Sequence, residues 1–455
     1  MKEDRQDLTT GSIWGKMLLF SIPLVLTNFL QVLFNMADIA VIGQFAGSLS
    51  LGAVGSTTTL VTLFTGFLIG MGGGTNVLVA RFFGAKDKES TIKTIHTALL
   101  VSMAAGMIVL IFGLLFSKGI LELLNTKEEL LDGAVLYIRI YFLGMPFFML
   151  YNYGAAILRA VGDTKRPLLF LMIAGVINAC LNMVLVIVFK LGVAGVAIAT
   201  VISQMISCVL VLRCLCRSES SYRLRFSELG MKGYYLKQIF SVGVPAGIQS
   251  TVINFSNVLL QSSVNSFGST AMAGYTAANN LLGFLYVSVN SITQACMSFT
   301  SQNYGVGKLK RMDRVLADCM ILSVVVAVVL GCICYGFGPE ILQIYTEDAE
   351  VIACGMEILA YTTITYFLCG WMDLFPGALR GMGYSAVPMV LSVIGTVGTR
   401  VVWIFGIFPY HRSLAILFIS YPASWIITII LQVVCFYFVR RRVHRRSQAL
   451  AGQEA

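Results

Sequence analysis

Apolar residues in this 455-residue chain are grouped in long runs, and polar residues collect at the ends of each run. Twelve runs of roughly 20 residues or more are each long enough to cross the hydrocarbon core of a bilayer as an α-helix. We number them spans 1 to 12, and they lie approximately at 13–38, 51–78, 94–116, 133–158, 168–189, 191–212, 238–264, 277–300, 315–338, 354–379, 388–409 and 413–439. The pattern predicts an all-α polytopic membrane protein with twelve transmembrane helices.

The same pattern occurs twice, because a shift of 221 residues places the second half of the chain on the first. The matched positions include Leu158-Arg159 with Leu379-Arg380, Gly162 with Gly383, and Pro167 with Pro388. Pro23 meets Pro245 if one residue is inserted, which indicates a one-residue slip inside span 1. Each half holds six spans, an even number, so both halves enter the membrane with the same orientation. The sequence therefore predicts two six-helix lobes related by a parallel internal repeat, as in many secondary transporters.

Four segments follow from the repeat and from the distribution of charge. We predict an N-terminal lobe at 1–215 with spans 1–6, a cytoplasmic linker at 216–236, a C-terminal lobe at 237–440 with spans 7–12, and a basic cytoplasmic tail at 441–455. We expect the tail to be disordered, because it is polar and follows the last span.

The composition is typical of a chain that mostly faces lipid. Hydrophobic residues make up 57% and charged residues 12%, with a mean hydropathy of +0.83, whereas a soluble chain carries about 25% charged residues. With both termini in the cytoplasm, 26 of the 32 Lys and Arg residues lie on the cytoplasmic side, as the positive-inside rule requires. This distribution accounts for the net charge of +10 without a nucleic acid, since basic clusters at membrane edges bind anionic lipid.

Polar residues interrupt some spans at helical spacing. In span 1, four polar residues recur at intervals of three or four positions and therefore share one helical face. The sets are Asn28, Gln31, Asn35 and Asp38 in span 1, Asn254, Asn257, Gln261 and Asn265 in span 7, Asn178 and Asn182 in span 5, and Asn290 and Gln294 in span 8. Such faces turn away from hydrocarbon towards the bundle interior or a wet cavity. The alternative is interhelical hydrogen bonding that only holds the helices together.

Asp38 is the strongest candidate for a residue that binds the coupling ion. A charged carboxylate at the centre of a span costs roughly 2.5–3.5 kcal/mol. Desolvation favours the protonated acid and a bound cation favours the carboxylate, so a proton and Na⁺ compete for the same oxygens. The alternative is a structural hydrogen-bond acceptor. Asp373 is a second acid, in span 10, and we expect Arg400 of span 11 to pair with Asp373 or with Glu357.

Two further features concern motion and substrate. Pro23 and Pro245 each remove a backbone hydrogen bond inside a span, so we expect both helices to bend there, as hinges or as static kinks. Tyr141 belongs to a set of aromatic residues in spans 4 and 10. Together with 20 methionines, these residues form an apolar wall that attracts organic cations, or else they are core packing.

The sequence lacks the marks of an enzyme or of a nucleotide-driven pump. Gly305-Val306-Gly307-Lys308 is followed by Leu309, where a phosphate-binding loop needs Ser or Thr. The three histidines are spread along the chain and form neither a metal cluster nor a catalytic triad. We therefore predict a transporter that is not an enzyme and that needs no cofactor apart from its coupling ion.

Together these features resemble the multidrug and toxic compound extrusion (MATE) family of cation-coupled antiporters, and most closely its DinF-like prokaryotic branch. The resemblance extends over about 13–439. It is carried by Phe34-Asn35-Met36-Ala37-Asp38 and Val41-Ile42-Gly43 in span 1, Leu158 to Pro167 (LRAVGDTKRP) after span 4, Gly243-Val244-Pro245 at the start of span 7, and Ser301-Gln302-Asn303-Tyr304-Gly305 after span 8.

The resemblance implies an ion site in the N-terminal lobe, among spans 1, 5 and 6. Asp38 matches the acid of span 1, Asn178 the amide of span 5, and Thr200 the hydroxyl of span 6. Asn182 stands where many relatives carry a second aspartate, so we expect weaker Na⁺ affinity and a shift towards proton coupling. Pro23 matches the proline of span 1 that is proposed to bend as the site fills.

The resulting prediction is a secondary active antiporter of the prokaryotic cell membrane that exports cationic or amphipathic organic solutes in exchange for H⁺ or Na⁺ by alternating access. The alternative is a lipid-linked oligosaccharide flippase of related architecture, which needs a cationic cavity floor. We expect a monomer whose partners are these solutes and membrane lipids, with no nucleic acid. We assign ion coupling to Asp38 (also the Na⁺ ligand if Na⁺ is the coupling ion), Asn178, Asn182 and Thr200, substrate or cavity contacts to Asn35, Asn257, Gln261, Tyr141 and Asp373, and the hinge to Pro23.

Overall fold

The helices of the first half follow the predicted spans and extend beyond them. A computed structural model describes residues 7–124, 126–218, 222–343 and 345–451, and this part of the chain contains no β-strand. The first six spans are Ile13–Phe45, Gly47–Gly84, Lys88–Leu123, the pair Glu128–Leu143 and Met145–Ala160, Lys165–Asn182 continued by a π-helical segment Met183–Val188, and Gly192–Cys216.

The second half repeats this order after a short 3₁₀ turn at Phe226–Glu228. Span 11 is the most irregular element, because α-helical and π-helical segments alternate along it. Spans 7 to 12 are Gly233–Asn265, Ser269–Gly305, Leu309–Gly336 with a short helix Gly338–Gln343, the pair Ala349–Thr362 and Tyr366–Gly381, the segments Ala386–Ser392, Val393–Gly398, Thr399–Val402 and Trp403–Ile407, and Leu414–Ala451.

The membrane-spanning character of these helices agrees with the prediction. Within the described residues, eight helices are long and apolar enough to cross a bilayer, or ten if each bent pair counts as one span. The two bent pairs are spans 4 and 10, equivalent positions of the repeat, with bends of 47° and 50°. Spans 7 and 8 are more polar, but they are 33 and 37 residues long. The predicted all-α architecture with twelve long spans is therefore confirmed for the described chain.

Local chemistry explains several helix boundaries. The Asp87 carboxylate accepts the Ser90 N–H at 3.0 Å and caps span 3. Hydrogen bonding from Ser90 holds the pKa of this exposed carboxyl below its ordinary value. In span 4, Pro146 follows the break at Gly144 and occupies the first turn of the next helix, where a missing N–H costs little.

The repeat is also visible in the backbone. Gly47 begins span 2 and Gly268 immediately precedes span 8, and they have φ of 82° and 98°. Gly162 and Gly383, which follow spans 4 and 10, have φ of 86° and 89°. Residues with a Cβ rarely adopt this left-handed conformation, so glycine fixes the same two turns in each half.

The described chain divides into two compact units whose boundaries fall inside spans 1 and 7. The first unit contains Asp7 and Ile22–Gly243, and the second contains Leu8–Ser21 and the chain from Val244 onwards. The boundaries therefore lie one or two residues before Pro23 and Pro245. The helices of spans 1 and 7 both run through their proline without a break.

In the first unit, glycines bring span 2 against the first part of span 7. A Cβ at Gly74 would meet the carbonyl oxygen of Ile239, and a Cβ at Gly243 would lie 2.5 Å from the carbonyl oxygen of Met71. No other residue type permits this backbone contact, which is a common way for membrane helices to pack.

In the second unit, the residues before span 1 are tied to the end of span 8 and the start of span 9. Five side-chain contacts reach the backbone of residues 8–11. Gln302 Oε1 accepts the Leu8 N–H (2.9 Å), and Asn303 donates to the Leu8 carbonyl (3.3 Å). Lys308 donates to the Thr9 carbonyl, and Arg311 donates to the carbonyls of Thr10 and Gly11 (2.9 Å each). This segment is therefore held by the second half of the sequence.

The tail is helical rather than disordered. The helix of span 12 continues to Ala451, and residues 452–455 lie outside the described chain. Arg440 forms a two-point ion pair with Asp313, with both N···O distances at 2.6 Å. The predicted disorder is wrong up to Ala451, because the basic residues continue the helical turns and the first of them has an acidic partner.

Candidate functional site

A cavity of about 390 Å³ lies within the first unit, among spans 1, 2, 4, 5 and 6. Its volume is at the lower end of the range for small-molecule sites. Asp38 is the one formally charged side chain among the described residues that line it. The other polar lining residues are Gln31, Asn35, Thr57, Thr58, Thr62, Thr65, Tyr137, Tyr141, Tyr151, Asn152, Asn178, Thr200, Ser203, Gln204 and Ser207.

The structure brings the four predicted ion-coupling residues together. Asn182 donates its amide nitrogen to Asp38 Oδ1 at 2.5 Å and to Asn178 Oδ1 at 3.2 Å. Thr200 lines the cavity together with Asp38, and its hydroxyl donates to the carbonyl oxygen of Val196 at 3.0 Å. Asp38, Asn178 and Thr200 line the cavity, while Asn182 holds the carboxylate from behind its wall.

Asn182 occupies a special place in span 5. It is the last residue of the α-helical part, before the π-helical segment Met183–Val188. It is only 1% exposed, and the carbonyl oxygen of its side-chain amide, Oδ1, is buried without a hydrogen-bond partner. π-Helical turns interrupt the regular backbone and are frequent at functional sites. The end of the regular helix therefore coincides with the residue that binds Asp38 and that carries an unpaired side-chain acceptor.

Aromatic rings form one wall of the cavity. Tyr137 and Tyr141 are stacked, with ring centres 6.0 Å apart. Tyr141 was predicted to contact substrate, and it does line the cavity with Asn35. Tyr137, which the sequence reasoning missed, lies one helical turn before it. Opposite, Phe34 packs directly against Gly175, where a Cβ would overlap the ring.

Hydroxyl groups of spans 2 and 6 were also missed. Each donates its proton to a carbonyl of its own helix: Thr57 to Val54 (2.7 Å), Thr58 to Val54 (3.4 Å), Thr65 to Val61 (2.7 Å), Ser203 to Thr200 (2.8 Å) and Ser207 to Gln204 (2.9 Å). The signal was present in span 2, where Thr58, Thr62 and Thr65 recur at helical spacing within an apolar run.

The remaining predicted cavity residues belong to the second unit and do not line this cavity. Gln261 is exposed, and Asn257 accepts a hydrogen bond from Arg400 at 2.8 Å. Asp373 lies near Arg380 of the same helix without an ion pair within 4.0 Å, and Arg380 donates to Gln249 at 2.5 Å. Their roles as substrate contacts stay predictions.

The predicted pairing of Arg400 with Asp373 or Glu357 is wrong. Arg400 is 3% exposed and donates to Asn257 and, at 3.3 Å, to Ser256. Its guanidinium carbon lies 4.5 Å from the centre of the Tyr421 ring. Arg400 follows the π-helical segment Val393–Gly398, and its hydrogen-bond partners belong to span 7 and its ring contact to span 12.

The repeat relates Arg400's surroundings to the Asp38 site. By the offset of 221 residues, Thr200 corresponds to Tyr421, while Asp38 corresponds to Leu259 or Leu260, depending on where the one-residue slip falls. In the second unit, a leucine therefore stands at the position of Asp38. The residue that corresponds to Thr200 is Tyr421, and the guanidinium of Arg400 packs against its ring. The two units do not carry the same chemistry.

Comparison with known proteins gives a family match over both halves. The MatE family model matches residues 23–184 and 245–405. The two matched segments begin at Pro23 and Pro245, and their ends are 221 residues apart, the offset of the internal repeat.

Similar proteins cover almost the whole chain. The probable multidrug resistance protein YoeA of Bacillus subtilis (strain 168) is 30% identical, with 96% of each chain covered. The multidrug export protein MepA of Staphylococcus saprophyticus is 25% identical, over 84% of this chain and 85% of that protein. A crystal structure of MATE in the bent conformation matches 98% of this chain and 99% of its own with a TM-score of 0.88 at 21% identity, a likeness of fold.

Proposed function

Since the chain belongs to the MatE family, we propose that it is a secondary antiporter that exports cationic or amphipathic organic solutes in exchange for H⁺ or Na⁺. As a member of that family it is a multi-pass multidrug transporter and not an enzyme. Beyond this family function, we propose that export is coupled to an ion, and we propose which ion it is and which residues bind it.

One observation carries the proposal: a single carboxylate faces a cavity that contains no basic lining residue. Asp38 is held by Asn182 and lies beside aromatic rings that attract organic cations. A cationic solute and a coupling ion would both be stabilised by this carboxylate and would compete for it. Competition of this kind couples the entry of one to the release of the other.

We favour a proton as the coupling ion. The oxygens near the site come from one carboxylate, from Asn178 and from Thr200, so a sodium ion would find a single formal charge. Charge count is a main determinant of cation affinity in oxygen sites. A proton needs only the carboxylate and an acceptor for the resulting O–H, and the unpaired carbonyl oxygen of Asn182 is suited to that role.

We propose that ion binding is transmitted along span 1. Asp38 and Pro23 lie on the same helix, and the chain passes from one compact unit to the other just before Pro23. Protonation of Asp38 would change which conformation of this helix is favoured, by the difference in proton affinity between the two states. We place the protein in the cell membrane of a bacterium with both termini in the cytoplasm, supported by its bacterial relatives and by its basic residues.

A flippase function is not favoured. A carrier of lipid-linked oligosaccharides has to bind pyrophosphate, which calls for Arg or Lys in the cavity. The described lining of the first-unit cavity has none. Contacts with membrane lipid follow simply from the exposed apolar faces of the spans.

The test is ethidium efflux from an efflux-deficient bacterium that expresses the full chain. Wild type, Asp38→Asn and Asp373→Asn are compared, with the proton and sodium gradients collapsed separately. Because a neutral amide cannot take up a proton, we expect Asp38→Asn to lose gradient-driven efflux by at least about tenfold. Asp373→Asn is the control for specificity, a membrane acid changed in the same way outside this cavity. Since Asp373 is itself a predicted substrate contact, the readout is gradient dependence and not rate: we expect the efflux that this variant retains to depend on the gradient.

The outcomes separate the parts of the proposal. Loss of efflux when only one gradient is collapsed identifies the coupling ion. Full efflux by Asp38→Asn, or uncoupling by Asp373→Asn alone, would show that ion coupling lies elsewhere. Dye retention by wild type, with the protein present in the membrane, would show that organic cations are not its substrates.

A further inference from the structure

Six hydroxyl groups of spans 2 and 6 that line the cavity donate their protons to carbonyl oxygens of their own helices, namely those of Thr57, Thr58, Thr65, Thr200, Ser203 and Ser207. A Thr or Ser hydroxyl has one hydrogen to donate and two lone pairs that accept. Thr65, Ser203 and Ser207 each donate to a carbonyl of their own helix at 2.7–2.9 Å. What remains for a molecule in the cavity is the acceptor side of each oxygen.

The other groups at the cavity strengthen this bias. Asp38 is an acceptor when ionised, and it is the one carboxylate among the described lining residues. One of the two N–H groups of the Asn152 amide is used by the Phe148 carbonyl at 2.8 Å. Phenol and amide groups both donate and accept, and no Lys, Arg or His is among the described lining residues. Acceptors are therefore in excess on this surface.

We propose that this acceptor surface selects organic cations that carry N–H groups over fully alkylated cations of the same size. The proposal rests on the function given above and narrows its substrate class to primary and secondary ammonium, amidinium and aryl-amino cations. A ligand with N–H donors satisfies the desolvated acceptors. A ligand with only N-alkyl groups leaves them unpaired, and sites built for hydrogen bonds reject such ligands strongly.

Two dyes of one ring system are suitable probes. Thionine and methylene blue share a flat cationic phenothiazinium ring, but thionine carries primary amino groups where methylene blue carries dimethylamino groups. Equilibrium dialysis with the purified full-length protein in detergent measures affinity without any ion gradient. We expect wild type to bind thionine about tenfold more tightly than methylene blue, the effect of one or two hydrogen bonds.

The variants assign the preference to the hydroxyls. The double variant Thr65→Val, Ser203→Ala removes two acceptors with little change of shape, and we expect it to weaken thionine binding about tenfold and methylene blue binding less than about twofold. Thr65→Ser keeps the hydroxyl and is expected to keep the preference. Ser56→Ala is the matched control, because Ser56 donates to the Ala53 carbonyl at 2.7 Å in the same helix but does not line the cavity.

Equal affinities of wild type for the two dyes would overturn the inference. So would equal weakening of both dyes in the double variant, since that result would assign shape and not hydrogen bonding to these positions. In both cases organic-cation export would still stand. Failure of folded wild type to bind either dye would refute the proposed function together with the inference.

Discussion

At the scale of single residues, Asn182 is placed to sense the charge of Asp38. Its amide nitrogen faces the carboxylate, the orientation that an ionised acid requires, and its second hydrogen goes to Asn178. A protonated Asp38 would donate instead and would need an acceptor at the same place. Rotation of the Asn182 amide by half a turn would present its unpaired carbonyl oxygen. The protonation state of Asp38 and the orientation of the Asn182 side-chain amide are therefore linked.

Asn182→Asp is predicted to turn the site towards sodium. A second carboxylate beside Asp38 raises the negative charge offered to a cation, and cation affinity in oxygen sites follows ligand charge. We expect the Na⁺ concentration for half-maximal efflux to fall by about tenfold relative to wild type, measured in proteoliposomes at fixed pH. Asn178→Asp is the companion variant one helical turn away. An unchanged Na⁺ dependence in Asn182→Asp would contradict this account of the site.

Arg400→Met is predicted to leave the protein as stable as wild type or to stabilise it. The guanidinium is buried with no carboxylate partner in the described chain. Its two hydrogen bonds and one ring contact offset only a small part of the free energy lost on removing it from water. The measurement is the thermal midpoint in detergent, where we expect no decrease. A midpoint lowered by several degrees would mean that Arg400 holds spans 7 and 11 together. Arg400→Ala, which leaves a void, is the comparison.

The sequence was informative about single residues where charge is costly. Asp38 stood out because no other acid interrupts span 1, and its partners followed from the family resemblance. The threonines of span 2 did not stand out, because a hydroxyl that bonds to its own helix is tolerated on any face. Arg400 was assigned to the wrong partner because the sequence favours an acid beside a buried guanidinium, whereas its partners here are the neutral side chains of Ser256 and Asn257.

At the scale of elements, the contact between span 2 and the first part of span 7 has no room for side chains. Gly74 faces the backbone of Ile239 and Gly243, and Gly243 faces the backbone of Met71. The glycine-rich segment Gly70-Met71-Gly72-Gly73-Gly74 is typical of close helix packing, but it does not indicate which glycine makes the contact. Helix ends were also hard to predict, since helices continue beyond the apolar run wherever caps or ion pairs support them, as Arg440 and Asp313 do in span 12.

Gly74→Val is predicted to destabilise the first unit, whereas Gly73→Val is not. A Cβ at Gly74 would overlap the backbone of residues 239 and 243, while a Cβ at Gly73 meets nothing within 4 Å. Overpacking of this kind costs about 1–3 kcal/mol. We expect a thermal midpoint several degrees lower for Gly74→Val and no shift for Gly73→Val. Equal midpoints of the two variants would show that the contact is not formed in solution.

At the scale of the whole molecule, the compact units are not the two halves of the sequence. The described part of the predicted linker, residues 216–218 and 222–236, falls in the first unit, and Leu8–Ser21 falls in the second. The periodicity of the sequence cannot reveal this exchange, because each segment has the same place in its own repeat whichever unit it packs with.

Fragments 1–220 and 221–455 are predicted to be unstable alone and to assemble when they are produced together. The first fragment lacks residues 233–243, which cover Gly74, and the second lacks residues 8–21, whose backbone is bound by Lys308 and Arg311. Accumulation in the membrane is measured by immunoblotting after separate and joint expression. Equal accumulation of a single fragment and of the pair would contradict the prediction.

The exchange of segments has a consequence for how such a chain can evolve. Met17 packs against Cys319 and Phe20 against Phe299, so codons from the beginning of the gene contribute to the core built by its second half. If a six-span ancestor was duplicated, the segment 8–21 now packs in the unit that contains most of the other copy. A substitution at one of these positions in one half then needs a compensating substitution in the other half. The two halves are therefore expected to evolve together.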